Sequence, residues 1–324
     1  MIKIDKKDQK ILSEISENAL MSRYSLAKKV QSSREVVDYR IKRLEKRGII
    51  RSYQARIDLS NFIYGVYMIL IRLKRFDRRI EKSIVSELKK VRYTHWLSRT
   101  IGEYDLALTF STTNSYQLDE SLTQIFSICG EYLAGYKVLI LTKELKDTFK
   151  SLFSSEPFKV KSITKPFKQV TLDEKDKKIL QILAKKADIT NKEISKLIRL
   201  NPETIRIRIK SLEKRKIILN YRTMINPIKL RKKLFLVFMN LNNKDEKSRI
   251  KINNYFENHK KIIFSSNAVG EFNSINVIYS KNLNGFKKTL LNLRNNFSDS
   301  LEDFSSLIIS SIEQHTYYPE GFLE

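Results

Sequence analysis

Two stretches of this 324-residue chain carry side chains suited by type and spacing to hydrogen bonding with an extended polyanionic partner. In the first, Arg34, Glu35, Asp38, Tyr39, Lys42, Arg43 and Lys46 fall along SREVVDYRIKRLEKR, residues 33–47. In the second, Glu203, Thr204, Arg206, Lys210 and Lys214 fall along NPETIRIRIKSLEKR, residues 201–215. Lys and Arg suit phosphate oxygens, and a few Arg, Glu or Thr side chains among them suit the edges of bases. Covalent and metal chemistry have no comparable constellation. His95, His259 and His315 are scattered, Cys129 is the single cysteine, and none of the eight glycines builds a phosphate-cradling loop. No catalytic residue, metal or cofactor is therefore expected, and the chain does not read as an enzyme.

Stepping outward along each stretch, Val37, Ile41 and Leu44 recur at helical spacing, as do Ile205, Ile209 and Leu212. Each set forms one buried stripe, leaving the polar and cationic residues on the opposite face. Ser33 and Asn201 sit where an N-cap belongs, Ser32 with Glu35 offers a capping box, and Pro202 fits the first helical position. A rod of this kind fits the major groove of DNA as a recognition helix. Base reading is expected from Arg34, Glu35, Asp38, Tyr39 and Lys42, and from Glu203, Thr204, Arg206 and Lys210. The plainer role for Asp38 and Arg206, ion pairing with neighbouring side chains, competes on equal terms.

Two shorter helices precede each rod, around 6–15 and 23–30, then 174–183 and 191–198. Asp5 and Asp173 stand as caps, Ser22 caps the second helix of the first set, and Thr190 with Glu193 forms a capping box in the second. Gly48 closes the first rod, whereas Lys216 occupies the matching place in the second. The extended runs 49–57 and 217–225 read as wings. The whole pattern repeats at an offset of 168: Asp5 matches Asp173, Arg40 matches Arg208, and Gly102-Glu103 matches Gly270-Glu271. About 20 of 55 aligned head positions are identical, so a domain-sized unit is printed twice.

Beyond each head the pattern alternates strand, helix, strand, strand, helix, strand, the ferredoxin-like plan. The chain is therefore expected to be α+β, in two tandem units. Residues 1–60 and 171–232 form the winged helix-turn-helix heads, 61–147 and 233–324 the ferredoxin-like domains, and 148–170 a linker containing Pro157 and Pro166. The formal net charge is +26; residues 1–60 carry 15 basic and 8 acidic side chains, and residues 171–232 carry 18 and 7. The heads thus hold about two-thirds of the excess, which points to nucleic acid more than to a uniformly Lys-rich surface. One cysteine fits a reducing compartment, the N-terminus lacks a signal-peptide core, and the apolar run 62–73 is too short to span a bilayer. A cytoplasmic location without a membrane partner is expected.

LDEKDKKILQIL at 172–183, RIKSLEKRKIILNY at 208–221 and their counterparts at 4–12 and 40–53 resemble the Lrp/AsnC (feast/famine) family of transcription regulators. GEYD at 102–105 is similar to the turn of that family's effector domain. The resemblance implies double-stranded DNA as partner and a regulatory domain that dimerises through its sheets and binds amino acids. Gly102, Tyr104 and Asp105 are the candidate effector residues, Asp105 meeting a ligand ammonium; the competing reading is a strand-connecting turn that Asp105 caps. The second unit has Phe272 and Asn273 instead of the phenol and the acid, and is the poorer candidate. Two fused units imply an intramolecular pseudo-dimer, with further homo-oligomerisation left open. Because Asp38 is matched by Arg206 and Tyr39 by Ile207, the two heads should read unlike half-sites. Two alternatives stand beside this: fused chains of this layout also occur as sirohaem decarboxylases, and a large positive charge also suits a low-specificity chromatin-architectural protein.

Overall fold

The computed structural model describes residues 4–58, 65–74, 77–153, 171–242 and 245–317. The first head comprises α1 (Lys6–Glu17), α2 (Arg23–Lys29) and α3 (Arg34–Lys46) and continues into β1 (Ile50–Ile57). The second comprises α6 (Glu174–Lys185), α7 (Asn191–Ile198), α8 (Pro202–Lys214) and β6 (Ile218–Ile225). Between them lie β2 (Gly65–Leu73), α4 (Arg78–Leu88), β3 (Thr94–Ile101), β4 (Leu106–Thr112), α5 (Ser115–Cys129) and β5 (Leu133–Asp147). After the second head come β7 (Lys233–Leu241), α9 (Glu246–Asn258), β8 (Ile262–Val269), β9 (Ser274–Ser280), α10 (Leu283–Asn296) and β10 (Leu301–His315). The expected alternation is present in both units, with differences of a few residues at element ends.

β1 and β6 do not fold back as wings on their own heads. They pair with each other, antiparallel, from Ile50 opposite Ile225 to Ile57 opposite Ile218. Ala55 and Ile57 of the first unit enter the apolar core built on Ile179, Leu180 and Leu183 of the second head. Met224 and Ile225 enter the first head's core in return. Alternation supplies each strand with apolar residues but cannot name the partner that covers them.

The ferredoxin-like sheets also join. β5 pairs with β8 and β10 pairs with β3, closing eight strands into one barrel in the order β10-β3-β4-β2-β5-β8-β9-β7. Helices α4 and α5 cover one half around Ile84, Leu88 and Ile125, and α9 and α10 cover the other around Ile252, Phe256 and Leu293. The pseudo-dimer expected from the fusion is thus present within one chain.

Where the head ladder meets the barrel, a buried ionic cluster ties the two. Arg222 of β6 is 2% exposed and pairs with Asp147 of β5 at 2.8 Å and Glu17 of α1 at 3.0 Å. Arg56 of β1 pairs with Glu144 and, at 3.5 Å, with Asp147. Burial pushes the Asp147 carboxyl up, but the Arg222 and Arg56 guanidiniums outweigh it and hold it below the usual range. Removing one partner from such a cluster typically costs about 3–5 kcal/mol, because the survivors stay buried and unpaired.

The expected linker starts later than residue 148. Phe149 and Leu152 are buried among the first head's apolar residues, and residues 150–152 form a turn of 3-10 helix. The remainder, 154–170, lies outside the described residues.

Candidate nucleic-acid interface

Each recognition helix is fastened to the first helix of its head by a charged clamp. Asp5 caps α1 by accepting from the Asp8 N–H at 2.8 Å, and Arg40 of α3 donates to Asp5 at 2.7 Å and to Asp8 at 2.8 Å. Asp173, Asp176 and Arg208 repeat this, with both Arg208 contacts at 2.7 Å. The Asp8 backbone hydrogen bond, then Arg40, holds the Asp5 carboxyl below its ordinary range. A second brace is also repeated: the Tyr53 hydroxyl donates to Glu45, and the Tyr221 hydroxyl to Glu213 at 2.6 Å. These braces set the rods against their heads, while Val37, Ile41 and Leu44, or Ile205 and Leu212, bury the inner stripe. Ile209, expected in that stripe, is only half-buried.

The cap of α3 is Ser33, which accepts from the Val36 N–H at 3.3 Å; Ser32 does not provide it. Asn201 caps α8 through the Glu203 N–H at 2.8 Å. Each rod is entered through a non-glycine residue in the left-handed region, Gln31 at φ 53° and Arg199 at φ 54°. Lys216 likewise takes φ 61° where Gly48 has 65°, at a cost of about 1 kcal/mol relative to glycine.

Of the expected contact residues, Arg34, Glu35, Tyr39, Lys42 and Lys46 are exposed on α3, and Glu203, Arg206, Lys210 and Lys214 on α8. Three differ. Arg43 is not a free surface cation: it donates to the buried Asp8 carboxylate at 2.6 Å and belongs to the clamp. Asp38 is half-buried and paired with Arg23 of α2 at 2.9 Å, and Thr204 is half-buried. Arg206 donates to Glu203 through Nε at 2.8 Å and through a terminal nitrogen, so the two side chains form a forked pair on the exposed face. Val36 at 39% and Ile207 at 57% exposure add apolar side chains to the outward faces. Their place off the buried stripe was the available signal.

The comparisons with known proteins converge on this surface. A winged helix-turn-helix DNA-binding domain model matches residues 4–51 and again 172–218. The regulator LysM of Sulfurisphaera tokodaii is 28% identical over 130 residues, 40% of this chain and 90% of that protein. The regulator FL11 of Pyrococcus furiosus is 26% identical over 146 residues, 45% of this chain and 93% of its own. Both are HTH-type transcriptional regulators matched by a half-length portion of this chain. The winged helix-turn-helix DNA-binding domain is thus present twice in this chain, once in each head. A crystal structure of the siroheme decarboxylase NirDL is similar over 98% of this chain and 96% of its own, with TM-score 0.60 and 16% identity, a likeness of fold.

The GEYD turn has a structural task. Gly102 has φ 143°, and a Cβ there would lie 2.7 Å from Leu307 of the other unit; Gly270, at φ 138°, would meet Leu139 at 2.8 Å. Asp105 Oδ2 accepts from the Leu73 N–H at 2.7 Å, and Asn273 Oδ1 makes the equivalent bond to Leu241 at 2.9 Å. Tyr104 is buried, with the Lys137 ammonium 5.6 Å from its ring centre. Asp105 therefore braces the turn to the neighbouring strand, with Tyr104 buried next to it in the chain. Among the described residues no group of three or more His, Cys, Asp or Glu is placed to hold a metal, and no helix is long and apolar enough to cross a membrane.

The neighbouring residues Lys42 and Arg43 separate contact from clamp. Lys42→Ala should weaken DNA binding and lower the salt slope by roughly one, leaving stability within about 0.5 kcal/mol. Arg43→Ala should instead destabilise the head by about 1–3 kcal/mol while leaving the slope unchanged. Paired urea melts and salt-dependent anisotropy titrations check both; a reversed pattern would reassign the two residues.

Proposed function

We propose that this protein is a double-stranded DNA-binding transcription regulator that reads an asymmetric site with two unlike heads carried on one barrel. The observation behind the asymmetry is the difference between the two outward faces. Arg34, Tyr39 and Lys42 stand on α3, while a Glu203–Arg206 pair, Ile207 and Lys210 stand on α8. Lys and Arg supply affinity through phosphates, and base contacts near each rod's N-terminus supply specificity. An isoleucine reads a thymine methyl where a tyrosine offers a ring and a hydroxyl, so one palindrome does not suit both heads. Selection of bound duplexes from a random pool should return two unlike half-sites about one helical turn apart. Arg206→Ala should relax only one half-site, by about 1–3 kcal/mol at the affected base. A palindromic consensus from a complex with one chain per duplex would overturn the asymmetry, and the absence of any consensus would favour the architectural alternative.

The amino-acid effector belongs to the same proposal at Gly102, Tyr104 and Asp105. Asp105 keeps a charge that Asn273 lacks while both make the same backbone brace. Asp105→Asn should therefore fold normally and lose any heat that the wild type releases with a panel of amino acids. A wild type that is calorimetrically silent across the panel would remove this effector.

The decarboxylase alternative is favoured by one observation, the whole-chain likeness to NirDL, which has also been solved with an iron-uroporphyrin III analogue. The exposed cationic heads favour DNA. Addition of an iron-uroporphyrin should leave the Soret band of the tetrapyrrole unshifted; a saturable shift at one equivalent would restore the enzyme.

A further inference from the structure

The closed barrel is hollow. A cavity of about 480 Å³ lies inside it, walled by Met68, Trp96, Leu141, Leu234, Val277 and Ile309 from six different strands, with Arg56 and Ile57 of the head ladder against one side. Eight strands enclose a space that side chains just fill or that holds one small ligand, and small-molecule sites occupy about 300–1,000 Å³. Here the side chains leave the space open.

The wall chemistry limits what fits. Most of it is apolar. Its charged residues are Arg56 and Lys143 against Asp58, Glu144 and Asp147; Arg56 is paired with Glu144 and Asp147, and Arg222 also pairs with Asp147. His95 and His315 also line the cavity. Burial, reinforced by His315, drives the His95 imidazole down to about 3. Burial drives the His315 imidazole down to about 4; Asp147 raises it, and Arg51, Arg222 and Arg56 lower it. Both rings are neutral at physiological pH, so each offers a donor or an acceptor but no countercharge. The His95 Nε2 is engaged by the Ser111 hydroxyl, and His315 stands between the rings of Phe149 and Tyr317, with centroids at 6.0 and 5.5 Å.

We propose that the barrel interior is a binding site for one uncharged, mainly apolar small molecule, aromatic or alicyclic, carrying a single hydrogen-bonding heteroatom. A charged ligand would lose its hydration against a mainly apolar wall whose acidic and basic groups, Arg222 included, are equal in number. The site is separate from the Gly102 turn and does not depend on the DNA reading.

Trp96, the single tryptophan of the chain, lines the cavity and reports its occupancy. The full-length protein is titrated with N-phenyl-1-naphthylamine while Trp96 emission is followed. Quenching by energy transfer should saturate at one probe per chain. 2-Naphthol should displace the probe, and 2-naphthoate, of nearly the same shape but charged, should need at least tenfold higher concentration. Val277→Phe, which fills the cavity, should weaken probe binding at least tenfold while keeping the wild-type melting profile. Should that variant not fold, the naphthol–naphthoate comparison on the wild type decides by itself. Absence of saturable quenching, equal displacement by naphthoate, or unchanged binding in a folded Val277→Phe would each overturn the proposal.

Discussion

The structure depends on how two open sheets dispose of their edges. A four-stranded ferredoxin-like sheet ends in two strands whose outward N–H and C=O groups lack partners, and such an edge recruits another chain. Here β5 meets β8 and β10 meets β3, so all four edges are satisfied inside one polypeptide. Tandem fusion makes that closure intramolecular, and the association cost that separate subunits face is reduced to the ordering of the intervening chain. Among the described residues no sheet edge of the barrel is left unpaired.

The same economy of pairing orients the heads. β1 and β6 lie side by side, each carrying apolar residues into the core of the opposite head. The Arg222–Asp147–Glu17 and Arg56–Glu144 contacts then fix this ladder to the barrel. A head cannot rotate freely on its own unit without breaking a buried ion pair. The cavity lies against this junction, and Arg56 is shared by the two. The physical route from barrel to heads therefore includes β1 and β6 and their guanidiniums, Arg56 and Arg222.

Burial also explains why charge on the chain is not all charge on the surface. Arg222 and Lys146 are among the 62 basic residues, yet both are interior. Lys146 donates to the His259 carbonyl at 2.9 Å, and burial brings its ammonium down to about 8. Arg43 looked like its neighbour Lys42 from spacing alone, since both lie one step from the polar face. The buried carboxylate of Asp8 decided between them.

The sequence by itself determined the two heads, their caps, the apolar stripes of α3 and α8, and the β-α-β-β-α-β order of each unit. These are local: a 3.6-residue or two-residue period and a capping side chain act within a few positions. The 168-residue repeat added that the unit occurs twice. Only tertiary structure decided that β1 and β6 pair across units and that the sheets close into a barrel. It also decided that His95, His315 and Trp96 face one hollow. Each of these joins residues far apart in the chain, where periodicity shows that a face must be covered but carries no record of what covers it.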